Sequence, residues 1–225
     1  MRFTPIDRER WDRRELFDCF HTTCMYVTVD LDVTALLAAV KARGLRFYPA
    51  LIHCLAKVAN GAEDYRYGYD EAGNVGLWDE LSPLYTVPRR DAPHLFAMVS
   101  TRWCGDFPMF YARFLDDYAR AENCGRLWCD DVRDACHIGV TAVPGLSFSG
   151  FSFGGTEGKA DLTPFAVIGR YRRRDGQTLL PVAGEFSHAV NDGWHVTRFF
   201  ERLGAAANEL ATCLRATPAD AISGD

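Results

Sequence analysis

No stretch of this 225-residue chain approaches the roughly 18 consecutive apolar residues that a membrane-spanning helix needs. Its opening, Met1-Arg-Phe-Thr-Pro-Ile-Asp-Arg8, turns charged at once and lacks the apolar core of an export signal, so a cytoplasmic protein is expected. Positive charge is not in excess either. Lys and Arg number 25 against 30 Asp and Glu, and a net charge of −5 leaves no basic face to neutralise phosphates, which argues against a nucleic-acid partner. Internal repeats, low-complexity tracts and linkers are missing before Leu214, so one domain is expected over residues 1–214. Residues 215–225 have little to bury and are expected to fray.

Strict alternation of strand and helix is also missing. Charged and aromatic residues recur at helical spacing from Arg8 to Phe20. Met25 to Leu31 alternates as a strand, a helix follows over Ala35 to Ala42 and stops at Gly44, and Pro49 opens another over Ala50 to Asn60. Strands at Tyr65 to Tyr69 and Val75 to Trp78 flank a turn at Asp70–Gly73, and Phe107 to Ala121 reads as an amphipathic helix. Beyond Ile138 the pattern predicts strands over Val140 to Val143, Leu146 to Phe153, Ala166 to Arg174 and Thr178 to Ser187, then a helix from Trp194 to Cys213. The expectation is a two-layer α/β sandwich with a mixed sheet and packed helices.

Eight cysteines are present, and Cys124, Cys129, Cys136 and His137 lie close together with gaps of four and six residues. They read as reduced, partly buried thiols rather than a zinc set, and no metal is expected.

The segment Ser187-His-Ala-Val-Asn-Asp-Gly-Trp-His195 carries the chemistry. His188 falls where a long β run ends, rigidly held yet able to open on a cleft, and imidazole is the natural base near neutral pH. Asp192 stands near a helix N-terminus, where it can cap or pair with an arginine, and Gly193 permits a tight turn. By spacing alone, a plain turn and a core histidine remain an equal alternative.

The wider sequence resembles the trimeric chloramphenicol acetyltransferases from about Arg2 to Leu210. The resemblance is carried by Trp11-Asp-Arg-Arg-Glu-Leu-Phe17, Leu31-Asp-Val-Thr34, Arg46-Phe-Tyr-Pro-Ala-Leu-Ile-His53, Leu77-Trp-Asp79, Tyr85-Thr-Val87, Leu179-Leu-Pro181 and the His188 segment, in that order. It implies acetyl-CoA as co-substrate, a hydroxylated small-molecule acceptor such as chloramphenicol, and a homotrimer with active sites between subunits. His188 would take the hydroxyl proton, and Asp192 would pair with Arg13. Thr141, matching a family serine, would donate to the oxyanion. Arg46 and Arg170 would contact the 3′-phosphate of coenzyme A. Ser147 and Ser149 are lesser candidates for the donor.

Phe20, Trp128, Phe153 and Val167 are the candidate acceptor-site residues. Here the chain departs from the family's pattern. Phe20 stands for a tyrosine, Phe153 for a leucine, Gly145 for a tryptophan, Asn191 for a cysteine, Ser187 for a histidine, and Val167 for a water-anchoring threonine. A reshaped acceptor pocket is expected. Two further readings remain open: an acyltransferase core like those of 2-oxo-acid dehydrogenase complexes, and a non-catalytic relative that binds an antibiotic or coenzyme A.

Overall fold

The computed structural model describes residues 1–129, 136–153 and 160–216. In chain order the elements are β1 (Phe3–Pro5), α1 (Arg14–Phe20), β2 (Cys24–Asp32), α2 (Thr34–Ala42) and α3 (Phe47–Asn60), then a 3-10 turn (Glu63–Tyr65). Next come β3 (Tyr67–Tyr69), β4 (Val75–Trp78), β5 (Ser82–Pro88), β6 (Phe96–Ser100), α4 (Phe107–Glu122) and β7 (His137–Ala142). The series closes with β8 (Phe165–Ile168), β9 (Arg172–Arg174), β10 (Gln177–Ser187) and α5 (Gly193–Ala216).

Seven strands form one sheet in the order β2-β10-β8-β7-β5-β6, with β9 extending along β10. Strand β7 runs parallel to β5 and β8, while the other pairs are antiparallel, so the sheet is mixed as expected. The pairing of β2 with β10 is the longest, from Cys24 opposite Ser187 to Asp32 opposite Leu179. A small sheet, β1-β4-β3, lies apart from it.

Helices α2 to α5 cover one face of the large sheet. Helix α3 is apolar nearly all round, with ten of its residues buried, which suits a helix in the middle of the layer. Phe186 of β10 meets Phe199 of α5 edge-on at 5.1 Å, and Tyr85 of β5 stacks on Phe114 of α4 at 4.5 Å. Helix α4 starts where Asp106 accepts a hydrogen bond from the Met109 amide at 2.8 Å, with Pro108 in its first turn.

Several expectations need correction. Of Arg8 to Phe20, only Arg14 to Phe20 is helical. No strand forms over Leu146 to Phe153, because both edges of its neighbour β8 are already paired, to β7 and to β10. The aromatic alternation there serves ring contacts instead: Phe148 with Phe151 at 5.6 Å, Phe151 with Phe153 at 5.1 Å, and Phe153 with Phe165 at 5.4 Å. The single strand expected over Ala166 to Arg174 splits into β8 and β9, since Pro181 on β10 has no N–H to donate to Gly169. Strands β1, β5 and β6 were not expected. Helix α5 continues to Ala216, three residues past its expected end at Cys213, and residues 217–225 lie outside the described ones.

His53 on α3 is 4% exposed and ringed by Trp103, Phe107 and Phe110 at 4.8 to 5.3 Å. Burial pushes its pKa down to about 4, against a smaller opposing effect of the Gly105 backbone. Below the unfolded value of about 6.5 the unfolded chain therefore binds a proton that the folded chain refuses. Stability should fall as pH drops from about 6.5 towards 4, by on the order of 3 kcal/mol from this residue. His53→Phe should lose that component, which urea unfolding at pH 7 and pH 4.5, at one protein concentration, will read out.

Candidate active site

At the end of β10 the His188 amide donates to the Thr23 carbonyl at 2.8 Å. The chain then turns, with the Val190 and Asn191 amides donating to the Ser187 carbonyl, and α5 begins at Gly193. His188 is thus fixed between a strand and a helix start, half-buried rather than sealed in the core. Its Nδ1 lies 3.2 Å from the Asn191 carbonyl. A carbonyl only accepts, so Nδ1 carries the proton and the neutral ring keeps its lone pair on Nε2. The Phe20 ring packs on the imidazole, with centroids 4.4 Å apart.

Cys24 stands opposite Ser187 in the sheet register, one residue from His188. Burial, with Glu185 adding to it, pushes this thiol up to about 11, so it is not a ready thiolate. Cys19, Cys24, Cys54, Cys104 and Cys124 are free thiols. Among the described residues no group of three or more metal-ligating side chains converges.

Asp192 holds the turn to its surroundings. Its Oδ1 accepts from the Trp194 amide at 3.0 Å, capping α5, and from His195 Nδ1 at 2.9 Å. Its Oδ2 is 3.5 Å from Arg13 Nη1, and Arg13 Nε donates to the Ala189 carbonyl at 3.4 Å. Burial raises the Asp192 carboxyl, but the His195 hydrogen bond and charge and the two backbone amides together hold it below its ordinary value. The expected pairing with Arg13 is therefore present but long, and His195 is the nearer partner. Sequence reasoning missed His195. An Asp-x-x-His at a helix start puts both side chains on one face, and that spacing was the available signal.

Thr141 occupies a different part of the sheet. Its hydroxyl is 2.9 Å from that of Thr86 on β5, a second residue that sequence reasoning missed. Thr141 lies opposite Val167 in β8, and Val167 lies opposite Ala183 in β10. On the other side Thr86 pairs with Met98, which bridges to Trp128. Trp128, Thr141 and Val167 thus share one row across the sheet. Val167 is 3% exposed.

Thr141 and Arg170 line a cavity of about 570 Å³ with apolar walls that include Phe47, Leu95, Ile168 and Leu180. Arg170 is exposed at this cavity. Arg46, also exposed, is not in its lining but sits 5.7 Å over the ring of Tyr118, which is. His188 is not in that lining either. From Thr141 to His188 is two interstrand steps and five residues along β10, on the order of 15–20 Å by backbone spacing. That is too far for both to act on one carbonyl within a single chain.

Of the remaining candidates, Phe153 is 46% exposed and packs on Phe165. Gly145 has open space where a Cβ would stand. Ser147 accepts from Arg172 at 3.1 Å, a structural tie at the surface, and Ser149 is exposed.

The family profile described as chloramphenicol acetyltransferase matches residues 1–204. A chloramphenicol acetyltransferase of Clostridium perfringens is 32% identical over 217 residues, covering 95% of this chain and 99% of the relative. A solved chloramphenicol acetyltransferase structure superposes with a TM-score of 0.81 at 24% identity, covering 92% of this chain and all of that one. The catalytic core of the 2-oxoacid dehydrogenase complex from Thermoplasma acidophilum shares the fold more distantly, with a TM-score of 0.64 at 17% identity over 93% of this chain and 97% of that one. With its fold and nearly its whole length in common with these relatives, and the family profile matched over residues 1–204, the chain belongs to the chloramphenicol acetyltransferase family.

Proposed function

We propose that the protein is an acetyl-CoA-dependent O-acetyltransferase acting on chloramphenicol or a related hydroxylated small molecule. The observation that carries this reading is the His188 ring, whose Nδ1–H is committed to the Asn191 carbonyl while Nε2 stays free as a base. Nε2 takes the proton from the acceptor hydroxyl, and the oxygen attacks the thioester carbonyl of acetyl-CoA. The Thr141 hydroxyl donates to the resulting oxyanion, itself held by Thr86. Collapse expels the coenzyme A thiolate, which recovers the proton from the imidazolium. No acyl-enzyme is needed, in keeping with the raised pKa of Cys24, the thiol beside the base in the sheet register. Asp192, tied to Arg13 and His195, steadies the turn that bears His188.

The separation of His188 from Thr141 supports an active site shared between copies, which we assign to a homotrimer. The sheet face turned away from the helices favours this. It carries Tyr26, 42% exposed, in a row with Glu185, Phe165 and Gly139, with Phe153 packed above. A partner copy covering that face would bring its own half of each site. We further assign the working domain to residues 1–214 and the protein to the cytoplasm.

The apolar cavity beside Thr141 suits the pantetheine arm of coenzyme A, and Arg170 and Arg46 suit its 3′-phosphate. Arg170→Ala should raise the KM for acetyl-CoA about tenfold with kcat unchanged, the loss of one charge-assisted hydrogen bond. Acetyl-dephospho-CoA, lacking the 3′-phosphate, should be turned over equally by variant and wild type. Phe20, Phe153, Trp128 and Val167 bound the acceptor in this reading.

A thiol-release assay with acetyl-CoA across chloramphenicol and a panel of small alcohols tests the whole proposal. Release of free coenzyme A with none of them would sink it. Val167 and the open space at Gly145 favour one competing reading, a relative that binds an antibiotic without acetylating it. Calorimetric binding of chloramphenicol with no acetylated product would select that reading.

A further inference from the structure

The catalytic turn is tied to a segment that plays no part in the chemistry above. Asn191 is fully buried, at 0% exposure. Its side-chain Nδ2 donates to the Asp64 backbone carbonyl at 2.8 Å and to the Val190 carbonyl at 3.2 Å, while its Oδ1 has no partner. Asp64 lies in the 3-10 turn Glu63–Tyr65. The same turn reaches the start of α5 twice more. Tyr65 donates its hydroxyl to the His195 carbonyl at 2.8 Å, and Asp64 Oδ1 lies 3.5 Å from His195 Nε2.

A buried amide with an idle oxygen is an unfavourable choice at a position where a small apolar side chain would suffice. The contribution that offsets it comes from the nitrogen, and that nitrogen fixes the residue whose own carbonyl faces His188 Nδ1. We propose that Asn191 is a positioning residue for His188: by anchoring its peptide to the Asp64 carbonyl, it keeps the Asn191 carbonyl aimed at Nδ1 and so holds the ring in the tautomer that leaves Nε2 unprotonated.

Without the anchor the carbonyl is free to swing away from Nδ1. Neutral imidazole then populates the other tautomer, with the proton on Nε2, where it cannot accept one from an alcohol. Catalysis falls in proportion to the lost tautomer and the loosened aim, while acetyl-CoA binding, which relies on Thr141's side of the site, is untouched. The inference rests on His188 being the base, so its test needs one readout independent of turnover.

Two measurements are made on wild type, Asn191→Ala, the similarly sized Asn191→Leu, which lacks any donor, and Asp64→Ala. The first is kcat and KM for acetyl-CoA with the best acceptor. The second is the His188 tautomer from ring-nitrogen NMR of 15N-histidine-labelled protein, assigned by the resonance lost in His188→Gln. Both Asn191 variants should lower kcat about tenfold or more at unchanged KM and move His188 away from the Nδ1–H tautomer. Asp64→Ala should leave the tautomer as in wild type, because the acceptor is the backbone carbonyl and survives the substitution. An unchanged tautomer in a folded Asn191 variant overturns the proposal, whatever happens to the rate. So does failure of both variants to fold, which would make the anchor purely structural. If wild type turns over no alcohol, the acetyltransferase reading fails, and the tautomer measurement still decides the role of Asn191.

Discussion

His188→Gln should lower kcat by about 10²–10⁴-fold while leaving the KM for acetyl-CoA within about twofold, as steady-state thiol release will measure. The size follows from what the ring does. An alcohol is a poor nucleophile until its proton has somewhere to go, and a tenfold rate change corresponds to about 1.4 kcal/mol, so a positioned base supplies roughly 3 to 5 kcal/mol of the barrier reduction. Glutamine fills similar space and can still donate towards the Asn191 carbonyl, so the turn at Ala189–Asn191 should persist. Because the base contributes only to the transition state, kcat and kcat/KM should fall together. A variant that keeps more than about a tenth of wild-type kcat would remove general-base catalysis by this imidazole.

Thr141→Val should cost about 10²–10³-fold in kcat, the effect of removing one oxyanion donor. Valine matches threonine in shape and in χ1 preference, so the β7–β8 pairing through Val167 should survive and the loss will report the hydroxyl. Thr86 would then face a methyl group instead of its hydrogen-bond partner. The two variants also make a joint test of a site built from two chains. If His188 and Thr141 meet only across a subunit boundary, co-refolding the two inactive proteins in equal amounts should restore about a quarter of the sites, those where an intact histidine meets an intact threonine. Activity no greater than the sum of the separate proteins would show that each chain works alone.

Much of the fold was legible because its punctuation was strong. Pro49 and Gly44 bracket the helices that became α3 and α2, and the long β run into Ser187 emerged as β10. Strand β5 escaped because prolines at 83 and 88 suppress a strand signal, although both lie within the strand. The region over Leu146 to Phe153 failed for a non-local reason: its alternating aromatics have the right period, but no sheet edge is vacant beside β8. The site divides the same way. His188, Asp192 and the capping geometry are local and were readable. The contacts of Thr86 with Thr141 and of Asn191 with Asp64 join residues 55 and 127 positions apart, which no short pattern encodes.

One feature of the architecture bears on how such a protein changes over generations. The base proposed at His188 stands at the junction of β10 and α5, cross-tied by Asp192 and Asn191. The side chains expected to choose the acceptor are carried elsewhere: Phe20 at the end of the short helix α1, and Gly145 and Phe153 in a stretch without regular structure. Mutation in those peripheral segments can redraw which alcohol fits while the imidazole keeps its aim. Selection can therefore move the protein from one antibiotic or metabolite to another by small steps, none of which has to pass through an inactive ancestor.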